Sequence, residues 1–89
     1  MTLAKCNAPE ILSVESWARW GWAVQAACAK YGVAVSTLLG NARGQLVDRA
    51  RREVYAALYG SGLGYSEIGR LLGRDHTSVL AGVRKELAS

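Results

Sequence analysis

Between Tyr65 and Leu87 apolar residues recur at helical spacing on both sides of one glycine, and nothing else in the chain restricts its fold as tightly. Ile68, Leu71 and Leu72 share one face of the segment before Gly73, and Val79, Leu80, Val83 and Leu87 share one face of the segment after it. The pattern is two short amphipathic helices joined by a glycine turn. Asp75 stands where the second helix needs an N-cap, its carboxylate able to accept from the backbone N–H groups of His76 to Ser78. His76, Thr77 and Ser78 then fill the opening turn and project from the helix end rather than into the core.

The chain upstream is helical by the same criteria. Ser13 can cap a helix over residues 13–31 that ends near Tyr31-Gly32, where glycine suits the position after the last turn. Asn7-Ala8-Pro9-Glu10 also has helix-start chemistry, with proline tolerated in a first turn and an acid near the positive end of the dipole. Trp17 and Trp20 are three apart and share a face of the 13–31 helix, whereas Trp22 points elsewhere. Core packing explains most such groups. The alternative is a self-association or partner surface, since exposed aromatic patches seldom persist without a use.

Val33-Ala34-Val35 is too short for a strand, and Ser36 can cap a short helix through Leu39. Gly40-Asn41-Ala42-Arg43-Gly44 is a loop by composition. A helix then runs from about Val47 to about Tyr59, with Val47, Ala50, Val54, Ala57 and Leu58 as its apolar stripe. Arg49, Arg52 and Glu53 lie off that stripe, and Arg51 borders it. Gly60-Ser61-Gly62-Leu63-Gly64 is an interhelical loop and not a phosphate-binding P-loop, because no strand precedes it and no Lys-Ser or Lys-Thr follows. Gly82, inside the last helix, costs about 1 kcal/mol relative to alanine and is expected where a neighbouring helix approaches closely. The fold class is therefore all-α, a small helical bundle.

Eighty-nine residues, half of them apolar, suffice for one globular domain with a modest core. No apolar run is long enough to span a bilayer, and the N-terminus lacks signal-peptide organisation, so no membrane association and a cytoplasmic location are expected. Cys6 and Cys28 are far apart and have no ligand-spaced companions, so reduced thiols and no metal site are expected. The net charge of +4 and pI near 9.4 favour a polyanionic partner. From Gly40 onward the chain holds eight Arg and Lys against five Asp and Glu, compared with three against two before it. Arg43, Arg49, Arg51 and Arg52 form the densest basic run, directly ahead of the paired helices.

Glu67-Ile68-Gly69-Arg70, then Gly73-Arg74-Asp75-His76-Thr77-Ser78-Val79-Leu80, then Arg84-Lys85, closely resembles the C-terminal DNA-binding domain (domain IV) of the bacterial chromosomal replication initiator DnaA. The Gly-Arg-Asp-His-Thr core is far more specific than a generic helix-turn-helix pattern. The resemblance covers about residues 22–87 and implies a Trp-repressor/DnaA-like helix-turn-helix near the C-terminus. It divides the chain into an N-terminal helical extension, residues 1–21, and a DNA-binding domain, residues 22–89. It further implies that Asp75, His76 and Thr77 face bases in the major groove, and that Arg43 enters the adjacent minor groove. With the basic run, it puts Arg49, Arg52, Tyr65, Ser66, Arg74, Ser78 and Lys85 against the DNA backbone. The chemistry fits: Asp accepts from a cytosine amino group, a Thr methyl meets a thymine methyl, His donates to an acceptor, and Arg suits a narrow A·T-rich minor groove.

Departures from the family pattern bear on affinity. One glycine, Gly73, stands where the family commonly has two, so a tighter turn is expected. Ala81 replaces a frequent His, Ala50 replaces a frequent Pro, and Asn41, Gly44 and Gln45 make the loop less basic. The family's ATPase module has no counterpart here and no Walker motif occurs, so neither nucleotide nor other cofactor is expected.

The leading expectation is a stand-alone, sequence-specific double-stranded DNA-binding protein of bacterial or phage type, associated with the nucleoid. It would recognise a DnaA-box-like site in transcription regulation or replication control. The alternative is an interaction or homodimerisation module using Trp17, Trp20 and Trp22. Catalysis is not expected: His76 is the sole histidine and has no nucleophile arranged beside it.

Overall fold

The computed structural model describes Ile11 and residues 13–88. The helix-start chemistry of residues 7–10, and Cys6, lie outside the described residues. The chain forms α1 (Val14–Tyr31), α2 (Val35–Leu39), α3 (Gln45–Gly60), α4 (Tyr65–Leu72) and α5 (His76–Ala88), with no strand among the described residues. This is an all-α bundle, as the periodicity requires.

Local chemistry sets the ends of α1. The Ser13 hydroxyl accepts from the Ser16 N–H at 3.1 Å, Glu15 lies in the first turn and Lys30 in the last. Gly32 adopts a left-handed conformation and returns its N–H to the Cys28 carbonyl. The helix is continuous across residues 21 and 22, the expected boundary between extension and domain. Ser36 does not cap α2 as expected; Ala34 holds that position without a side-chain bond, and Ser36 lies inside the helix. α3 begins about two residues earlier than its apolar stripe indicated.

α3 is the axis of the bundle, packing against each of the other four helices. Its buried face consists of Ala50, Val54, Tyr55 and Leu58. Val24 and Ala27 of α1, Leu38 of α2, Ile68, Leu71 and Leu72 of α4, and Val79 and Val83 of α5 complete one continuous core, with Ile11 fully buried in it. Trp17 and Trp20 are half-buried against this core, while Trp22 is 51% exposed. Tyr55, absent from the expected stripe, is only 5% exposed, and burial raises the pKa of its hydroxyl above the ordinary value. Leu87 was expected on the buried face of α5 but is 69% exposed.

Two glycines allow the close packing that positions α5. A Cβ on Gly82 would lie 2.6 Å from the Tyr55 ring, so the helix–helix approach expected there is made by α3. A Cβ on Gly69 would lie 2.5 Å from the Arg74 carbonyl oxygen, so the α4–α5 turn folds directly onto the α4 backbone. That turn is short. Gly73 is left-handed (φ 67°), and the Arg74 N–H reaches the Gly69 carbonyl at 2.7 Å. At the other end of α4, the Glu67 carboxylate accepts from the Gly64 N–H at 2.9 Å, the reciprocal half of a capping box. No helix among the described residues is long and apolar enough to cross a membrane.

Candidate nucleic-acid interface

The start of α5 stands in solvent. Asp75, His76, Thr77 and Ser78 are all exposed, the His76 side chain by 61%, while Val79 directly behind them is fully buried. Helical period explains the contrast: Val79 and Val83 anchor the helix by one face, which turns the opening residues outward. Asp75 organises this end differently from the expected cap. Its backbone carbonyl accepts from the Ser78 and Val79 N–H groups at 3.0 and 3.2 Å. Its carboxylate instead accepts from the Thr77 hydroxyl at 3.0 Å and lies 3.6 Å from His76 Nδ1. With its hydroxyl committed to Asp75, Thr77 offers its methyl group, and His76 keeps Nε2 on the far side of the ring from the carboxylate.

Beside this end lies a cleft of about 500 Å³ between α3, the 40–44 loop and α5. Arg43, Arg51, Arg52, Arg74 and Lys85 line it, with Asn41, Tyr55, Ser78 and one acid, Asp48. A smaller hollow of about 260 Å³ shares Asp48, Arg52 and Lys85 and adds Arg49 and Gln45. Residues far apart in sequence thus converge on one strongly cationic groove. Low-dielectric walls concentrate such a field, and the chemistry suits an extended anion.

The cations are held in different ways. Arg43 and Arg49 are exposed. Arg52 is mostly covered: its Nε is buried without a hydrogen bond and lies 3.8 Å from Glu86 Oε1. Arg51 is turned inward, donating from Nε to the Leu38 carbonyl and from Nη2 to the Gly40 carbonyl, both at 2.9 Å, and to Thr37 at 3.3 Å. Burial, and next the neighbouring Arg74 charge, lower the Arg51 pKa from its ordinary value, with Asp48 only 3.5 Å away as partial compensation. Arg74 likewise donates to the Gly40 carbonyl. Its Nη2 is therefore engaged with the protein's own backbone, while the side chain also lines the cleft.

Of the eleven residues singled out from sequence, Arg43, Arg52, Arg74, Ser78 and Lys85 meet in the main cleft. Arg49 joins from the adjoining hollow, and Asp75, His76 and Thr77 begin the helix that contributes Ser78. Tyr65 and Ser66 begin α4 and do not line the cleft; the Tyr65 ring stacks on Tyr59 at 5.0 Å with a 4° tilt. Sequence reasoning missed the inward role of Arg51 and the presence of Tyr55 beneath Gly82. A glycine inside a helix was the one signal pointing toward a bulky partner there.

Comparison of the chain with protein-family models, with curated proteins and with solved structures gives no match. The family resemblance therefore rests on the residues that carry it.

Proposed function

We propose that this protein binds double-stranded DNA in a sequence-specific manner, with α4 and α5 acting as a helix-turn-helix that reads a DnaA-box-like site. The single observation supporting this most strongly is the juxtaposition of an outward polar helix start, Asp75 to Ser78, with the cationic cleft of Arg43, Arg52 and Lys85. A helix presented by its N-terminal turn can enter a major groove while flanking cations meet phosphates. In this reading Asp75, His76 and Thr77 face base edges, Arg43 reaches an adjacent minor groove, and Arg49, Arg52, Ser78 and Lys85 meet the backbone. The role is binding, in transcription or replication control, with no chemistry performed on the DNA.

Fluorescence anisotropy with a duplex carrying a DnaA box, against a scrambled duplex of equal composition, tests the reading. The box duplex should bind at least about 10³-fold more tightly at physiological salt. Equal affinity for the two defeats it.

One observation favours a second reading. The outward face of α1 carries Val14, Ala18, Trp22, Ala26 and Ala29, all exposed. A half-exposed tryptophan among small apolar residues, with Glu15, Arg19 and Gln25 exposed alongside, suits a protein partner or a second copy. Sedimentation equilibrium distinguishes a dimer that buries Trp22 from a monomer.

A further inference from the structure

Two arginines converge on one short stretch of backbone. Arg51 comes from α3 and Arg74 from the α4–α5 turn, yet both donate to the Gly40 carbonyl, and both reach the Leu38 carbonyl, Arg51 at 2.9 Å and Arg74 at 3.5 Å. The recipients end α2, where the last carbonyls of a helix have no intrahelical donor. That stretch is the root of the loop bearing Arg43, and Arg74 immediately precedes Asp75 at the root of α5. A single peptide carbonyl therefore ties the Arg43 loop to the turn that aims His76 and Thr77.

Building on the DNA-binding reading, we propose that Arg74 and Arg51 are positioning residues: they fix the Arg43 loop in register with the start of α5 and do not themselves contact phosphate. The geometry explains why two like charges are tolerated side by side, since the partly negative carbonyl oxygens of Leu38 and Gly40 face both guanidiniums. Little else holds the loop. Asn41, Ala42, Arg43 and Gly44 are all exposed, and the next backbone tie is the Asp48 N–H to the Gly44 carbonyl. With the clamp removed, Arg43 would sample many positions relative to α5, and the entropy of fixing it would be charged to binding.

The test combines backbone amide relaxation (order parameters) of the DNA-free protein with a double-mutant cycle of Arg74→Ala and Arg43→Ala, titrated with box and scrambled duplexes over a salt series. Arg74→Ala should lower the backbone order parameters of the loop amides at residues 41–44. It should weaken box binding about tenfold, equivalent to about 1.4 kcal/mol, and leave the salt slope unchanged. In the Arg43→Ala background it should have no further effect, whereas a general loss of folded protein would penalise both backgrounds equally. Arg74→Lys, which keeps a donor without the fork, should restore part of the loss. If Arg74→Ala fails to fold, Arg74→Lys and Arg51→Lys carry the same cycle.

A slope reduced by about one unit would show Arg74 on phosphate and overturn the proposal. Additive losses, or unchanged loop order parameters, would overturn it too. If wild type binds both duplexes equally, the DNA reading falls by itself, and the relaxation measurement still decides whether the clamp holds the loop.

Discussion

Replacing Gly69 by alanine strikes the point where the α4–α5 turn rests on α4. The added Cβ would lie 2.5 Å from the Arg74 carbonyl oxygen and 3.5 Å from the His76 nitrogen. Because real Cβ contacts essentially never fall below 3.0 Å, the turn must retreat by at least half an ångström. No rotamer change relieves this, since the obstacle is backbone. Alanine gains up to about 1 kcal/mol in helix propensity over glycine. Overpacking of this kind costs about 1–3 kcal/mol, and retreat also strains the 2.7 Å bond from the Arg74 N–H to the Gly69 carbonyl. The net expectation is a loss of about 1–2 kcal/mol and a fall in Tm of about 5–10 °C for a domain of this size. Thermal unfolding followed by circular dichroism measures it, with Gly60→Ala as control, because a Cβ at Gly60 meets nothing within 4 Å. The control should be neutral or slightly stabilising. A Gly69→Ala protein as stable as Gly60→Ala would refute the close approach of the turn.

Gly82→Ala should also destabilise, by about 1 kcal/mol net in urea titrations, because the displaced Tyr55 ring is almost fully buried. The α1–α3 contact should be pH-sensitive: Glu53 Oε2 accepts from Lys30 Nζ at 2.7 Å and from the Tyr31 hydroxyl at 2.5 Å, and these bonds lower the Glu53 pKa from its ordinary 4.5 while the same bond raises that of Tyr31 from 10.0. Its contribution is thus present between these values, lost as pH falls below 4.5 through the folded pKa of Glu53, and lost again as pH rises beyond 10.0 through that of Tyr31. Glu53→Gln should flatten the acid limb of the stability curve. His76→Ala and Thr77→Ala should each weaken box binding by about 1–3 kcal/mol and relax sequence preference, whereas Lys85→Ala should weaken all duplexes and lower the salt slope by about one, as read by anisotropy.

How far the chain betrays its own structure depends on the range of the interaction. The α1 cap at Ser13, its stop at Gly32 and the buried faces of α4 and α5 follow from chemistry within a few residues, and they read directly. Leu87 does not, because periodicity names a face without saying how far the covering partner extends. Ser36 looks like a cap by type, yet α2 begins one residue before it. The Asp75 carboxylate could have bonded backbone or side chain, and only the folded turn decides for Thr77. Arg51 and Arg74 are the plainest case. Their acceptors lie 11 and 34 residues away at Gly40, so composition shows two cations of a basic run while the fold spends both on its own backbone. Convergence of Arg43, Arg52 and Lys85 on one cleft belongs to packing around α3, to which no local pattern gives access.

On the proposed function, the outward start of α5 and its neighbouring cations form the surface that meets DNA. Backbone amide NMR of the labelled protein during titration with a box duplex tests it most directly. The account predicts the largest shift changes at Arg43, Arg52, residues 75–78 and Lys85, saturating together, with the Trp22 face of α1 unaffected. Changes centred on Trp22, or none at residues 75–78, would contradict it.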